Sequence, residues 1–200
     1  MRVLIFIFTL ALTQAMMPAC ALAAVNCTLE HPDRDIKRLV KDSTTYRVRE
    51  LIPFRHGKKD LLKSIARTLD SELDPEFESG ETPYTFYAVY KGNENVALVL
   101  GTTARVVAGP MQLFVVYARK GGIQDIFVQK ISSKDAPAFR SKFYREQYFK
   151  FGINSLPTEA DVRPPIRSPS NDTIRDHHSF LRAVRFNILL VKELYNNFKE

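Results

Sequence analysis

Between Tyr84 and Ile131 the chain alternates apolar runs of strand length with short turn signals, and this block limits the fold more than any other feature. Residues 84–91 are rich in Tyr, Phe and Val, Gly92-Asn93 supplies a two-residue turn, and residues 96–102 run back. Gly109-Pro110 punctuates the chain again. Residues 111–118 are apolar at nearly every position, as a strand covered on both faces would be. Lys120-Gly121-Gly122 then turns the chain into residues 123–131. Strands joined by links this short pair with their sequence neighbours, which predicts a meander of about four antiparallel strands.

The flanks read as helical. Residues 31–41 place Ile36, Leu39 and Val40 on one side of a short helix, and residues 44–51 alternate enough for a further strand. Over residues 58–73, Leu61, Leu62, Ile65, Leu69 and Leu73 fall on one helical face. Residues 136–151 read as an aromatic and basic helix with a break near Pro137, and residues 155–172 as a long Pro- and Ser-rich loop. A final long helix over residues 173–199 carries the stripe Leu181, Val184, Ile188, Val191 and Tyr195. The expected class is α+β: a single antiparallel sheet of four to six strands with helices packed on it.

The first residues have a different character. Arg2, an apolar run over residues 3–12, and the small residues Ala21-Leu22-Ala23-Ala24 form the pattern of a cleavable secretory signal. The expectation is a leader over residues 1–23, a single domain over residues 24–200, and a periplasmic or secreted location without a membrane span after cleavage. Met17-Pro18-Ala19 is a poor context for lipid attachment at Cys20. Removal of the leader leaves Cys27 as the one thiol, so no internal disulfide is available. The formal net charge of the sequence is +7, spread along the chain rather than gathered in blocks. Such a balance suits a small anion or an anionic surface, and no nucleic-acid recognition motif accompanies it.

No nucleophile elbow, phosphate-binding Gly-rich loop or His-Glu-x-x-His stretch occurs. His177 and His178 are adjacent, so on a helix they point about 100° apart and read as a polar helix start rather than a metal pair. Two segments read as loops able to touch a ligand. The first runs through Thr102 and Thr103 to Gly109, Pro110, Met111 and Gln112, where glycine permits close approach of a flat ligand or simply a hairpin connection. The second holds Ser168, Ser170, Asn171 and Thr173 just before the long helix, where the same hydroxyls can bind phosphate or cap the helix.

These two segments, with Tyr-Thr-Phe-Tyr-Ala-Val-Tyr-Lys-Gly from Tyr84, Val-Leu-Gly-Thr-Thr to Thr103 and Gly-Pro-Met-Gln-Leu-Phe-Val-Val from Gly109, resemble exported bacterial FMN-binding domain proteins. Asp33-Arg34-Asp35-Ile36-Lys37 and Arg182-Ala183-Val184-Arg185-Phe186-Asn187 look like that family's opening and closing helices. The resemblance implies an electron-transfer module that holds FMN through Thr102, Thr103, Gly109, Pro110, Met111, Gln112, Ser168, Ser170, Asn171 and Thr173, with a redox partner protein at the membrane. Many members carry Ser-Gly-Ala-Thr before the last helix and esterify its Thr to the flavin phosphate. Here the segment is Ser168-Pro169-Ser170-Asn171-Asp172-Thr173, which implies a non-covalent flavin. The alternative is a cofactor-free exported binding or adaptor domain for a small anionic ligand or a protein partner.

Overall fold

The structure, a computed structural model, describes residues 27–197. The expected leader and Cys20 lie outside them. One sheet of five antiparallel strands organises the chain in the order β1 (Thr45–Leu51), β2 (Tyr84–Lys91), β3 (Glu94–Val106), β4 (Gly109–Ala118) and β5 (Ile123–Ile131). Sequence neighbours are spatial neighbours throughout; short links dictate this from β2 to β5, whereas β1 joins β2 across residues 52–83. Gly92 and Asn93 form the β2–β3 turn, with Lys91 opposite Glu94. β3 is longer than its apolar core suggests. Its ladder with β4 continues through Thr103↔Gln112 and Arg105↔Pro110 to Val106↔Gly109, so the turn is Val107-Ala108.

Both faces of the sheet are covered. One face packs on helix α5 (Asn171–Asn197) and helix α2 (Leu61–Leu69), burying Leu100, Met111, Leu113, Val115, Val184, Ile188 and Val191. The other packs on helix α1 (Pro32–Leu39) and the segment before it, burying Cys27, Leu29, Ile36, Tyr87, Val99, Phe114 and Val116. Alternate residues of one strand serve the two layers, which explains the near-continuous apolar reading of β4. Gly101 lets the N-terminal segment cross the sheet, since a Cβ there would lie 2.4 Å from the Cys27 carbonyl oxygen.

Local chemistry sets the helix ends. In α1, Pro32 opens the helix and Asp33 and Asp35 complement its positive end. The helix expected over residues 58–73 is shorter, because Asp70 turns left-handed (φ 50°) and closes α2. The helix expected over residues 136–151 is two helices, α3 (Ala136–Arg140) and α4 (Lys142–Glu146). The break falls at Ser141, not Pro137. Pro137 sits in the first turn, where no N–H is needed, while extended Ser141 accepts the Tyr144 N–H at 3.3 Å. The long segment before α5 is tied down: Gln147 accepts from the Arg163 N–H at 2.8 Å and donates to its carbonyl at 3.2 Å, and Val162 is buried.

Polar ties lock the α5 layer. Asn187, fully buried, accepts from the Tyr117 hydroxyl at 2.7 Å and donates to the Leu100 carbonyl and Thr102 Oγ1 at 3.0 and 3.1 Å. Arg182 grips both oxygens of buried Glu78 at 2.6 and 2.7 Å, fastening the loop after α2 to the helix. This bidentate geometry is what a buried carboxylate requires.

Candidate functional site

Thr102 and Thr103 lie in β3, and Gly109, Pro110, Met111 and Gln112 in β4, rather than in loops. Strand alternation sends them to opposite faces. Thr102 and Met111 are buried in the α5 layer, whereas Thr103 and Gln112 form a cross-strand pair on the α1 side. Thr103 is buried beside Cys27, whose thiol burial pushes up to about 12, and Gln112 meets Gln129 at 3.4 Å. Gly109 has φ 144°, a conformation that disfavours other residues, and the group closest to its missing side chain is Ser132 Oγ at 3.1 Å.

Ser168 and Asn171 are exposed. Ser170 Oγ accepts the Thr173 N–H at 3.3 Å and shares a 2.8 Å contact with the Thr173 hydroxyl, the arrangement of a helix cap. The Thr173 hydroxyl donates to Asp135. The Gly109 turn does adjoin this helix start, because the Val107 N–H donates to Asp176 at 2.7 Å. Three carboxylates stand here: Asp135, Asp172 and Asp176. Asp172 bonds Arg175 at 2.7 Å, which holds its carboxyl below the usual range. The Thr173 hydroxyl, the Val107 N–H and the Arg175 guanidinium are thus met by carboxylates of the chain itself, whose charge opposes a phosphate dianion. The residues at this place do not fit the phosphate of FMN.

His177 is not a polar helix start. It is buried and meets the Tyr144 hydroxyl at 2.7 Å, and that hydroxyl lies 3.1 Å from the Tyr148 hydroxyl. Burial lowers the His177 pKa. Phe139 and Phe180 enclose the group, with ring centroids 5.3 and 5.0 Å from Tyr144. With its hydroxyls and ring nitrogen paired to one another, the group reads as a satisfied core network.

A more suitable cavity opens elsewhere on the α5 face, at the β1 end of the sheet. It has a volume of about 480 Å³ and is lined by Arg49, Ala88, Tyr90, Asn95, Leu98, Arg119 and Tyr195. Ala88 and Leu98 are buried and give it an apolar base; Tyr90 and Tyr195 bring two rings. The Arg47 guanidinium lies 5.2 Å from the Tyr90 ring centroid, and Arg119 bonds Glu94 at 2.7 Å. Two aromatic rings, an apolar base and guanidinium groups suit an anion with a flat or apolar body. The residues come from β1, β2, β3, the end of β4 and the last turns of α5. No sequence spacing joins them; the one local signal is the alternation of Arg47 and Arg49, which puts both on the α5 face of β1.

No protein-family model matches the chain, and a search of curated proteins gives no match. Among the described residues no helix is long and apolar enough to cross a membrane, and no group of three or more His, Cys, Asp or Glu could hold a metal ion.

Proposed function

We propose that this chain is a cofactor-free exported binding domain whose ligand is an anion with a flat or apolar body, held in the cavity at the β1 end of the sheet. The single observation that carries the reading is the lining of that cavity, where Arg49 and Arg119 stand around an apolar base together with Tyr90 and Tyr195. A volume of about 480 Å³ falls in the range of small-molecule sites. The anion pairs with guanidinium groups and the ligand body lies against the rings. Nothing in this arrangement supplies a nucleophile or a proton shuttle, so the reading is one of binding alone.

A flavin-carrying redox module is the second reading. One observation favours it: the Gly109 turn and the start of α5 lie side by side, as a ligand touching both would need. The carboxylates at that place weigh against it.

Titration with anilinonaphthalene sulfonate, a flat fluorescent anion, and with FMN and riboflavin tests both readings. We expect the sulfonate and FMN to compete for one site, with affinity falling about tenfold on Arg119→Ala or Tyr195→Ala, the size of one charge-assisted or stacking contact. Failure of both anions to bind, or binding that ignores both substitutions, would overturn the cavity reading. Purified protein carrying the visible absorption of flavin, lost on Ser170→Ala/Thr173→Ala but kept in Arg119→Ala, would establish the second reading instead.

A further inference from the structure

The two edges of the sheet are built differently. At β5 the outward carbonyls are already taken. Arg145 donates to Ile126 O at 2.8 Å, and Arg140 donates to Val128 O and Gln129 O at 3.1 and 3.3 Å. Arg145 also pairs with Asp125, and the Arg38 guanidinium covers Phe127 at 4.2 Å from the ring centroid. This edge is closed to another strand. At β1, five of seven residues are exposed, and Val48 keeps 51% of its surface in water.

We infer that β1 is a docking edge for an extended acidic segment of a partner protein, one with a carboxylate at every second residue. The inference rests on the binding reading above and specifies its ligand class. Charge selects the occupant. Arg47 and Arg49 project on one face, opposite Ala88 and Phe86 in the register, and Arg49 lines the adjoining cavity with Arg119. A strand added beside β1 would place alternate side chains next to Arg47 and Arg49. Carboxylates there pair with them, and one further side chain reaches the cavity. Lysines or arginines there are repelled. A second copy of this chain is a poor occupant, because antiparallel self-pairing about Val48 puts Arg47 of one copy opposite Arg49 of the other. Val48 and Tyr46, on the opposite face, give the added strand apolar contact. Main-chain bonds would supply much of the affinity, and the guanidinium groups the choice of partner.

The test uses the secreted protein and capped peptides that alternate glutamate with valine or lysine with valine. Binding is read by anisotropy, and its place by amide hydrogen exchange. We expect the acidic peptide to bind, to protect amides of residues 45–51, and to weaken with salt. Arg47→Glu/Arg49→Glu should lower its affinity roughly 2- to 30-fold, as loss of two exposed ion pairs implies, and raise that of the basic peptide. Arg47→Gln/Arg49→Gln, milder for folding, should lose affinity without reversing preference. Equal affinity for both peptides, no binding, protection outside β1, or a dimer of this chain with protected β1 amides would each overturn the inference. A chain that binds the small anions but not the acidic peptide would overturn this inference alone. A chain that binds neither would overturn both readings.

Discussion

The two layers packed on the sheet are held by different means. In the α5 layer, polar atoms buried in apolar surroundings are joined to one another: Asn187 ties the helix to β3 and β4, Arg182 ties it to Glu78, and His177 meets Tyr144. In the α1 layer the main fasteners run from the segment before the helix. The Leu29 N–H donates to the Tyr87 hydroxyl at 2.9 Å, and Gln129 bridges the Thr28 carbonyl and the Glu30 N–H at 3.0 and 3.1 Å. Beneath these, Ile36, Val99, Phe114 and Val116 make an apolar contact, and the buried carboxylate of Asp35 is met by Arg34 and Arg38 of its own helix at 3.3 and 3.4 Å rather than by the sheet. Buried polar bonds run between elements in the first layer, whereas the second combines apolar area with bonds made mostly near its surface, and we expect it to open first.

The sharpest way to break the contrast is Arg182→Ala. It leaves the Glu78 carboxylate buried without its main partner, which typically costs about 3–5 kcal/mol. We expect that loss in chemical denaturation, with one cooperative transition for the whole domain. Arg182→Ala/Glu78→Gln should recover part of it. A loss under about 1 kcal/mol would mean water already screens the pair.

Ile36→Ala probes the other layer. Leu/Ile→Ala changes in cores cost about 2–5 kcal/mol, and we expect the low end because α1 is one short helix over a small cluster. Hydrogen exchange should show faster opening of residues 27–40 while β3, β4 and α5 keep their protection. Uniform acceleration across the sheet would show that the layers unfold together.

The smallest effect concerns pH. Burial lowers the His177 pKa below its ordinary 6.5, so the unfolded chain takes up a proton at a higher pH than the native one. The stability tied to neutral His177 is therefore complete above about pH 6.5 and is lost as pH falls toward the native value. His177→Gln should flatten this acid-side slope in thermal melts across that window; an unchanged slope would assign it to other groups.

The sheet was readable because β2, β4 and the first part of β3 must serve two buried layers and announce themselves as apolar runs, while β5 shows itself by turn signals and spaced apolar residues. The end of β3 was not. Thr103 through Arg105 lies past the apolar run and becomes strand through pairing with β4, a tertiary fact. Thr103, Gly109 and Pro110 read as loop for the same reason, and strand alternation sends the side chains of this part of the candidate set to both faces. Ser170 and Thr173 do stand at a helix start, as their residue types suggested, but Asp135, distant in sequence, takes the Thr173 hydroxyl. The Arg49–Tyr195 cavity draws on residues spread along most of the chain, so no local pattern could reveal it.

The guanidinium cover on β5 sets the valency of the molecule. A sheet that can be extended at both ends invites end-to-end growth into filaments, with length rising as concentration rises. Closing one end removes that route, because copies of this domain that met edge to edge would stop at a pair.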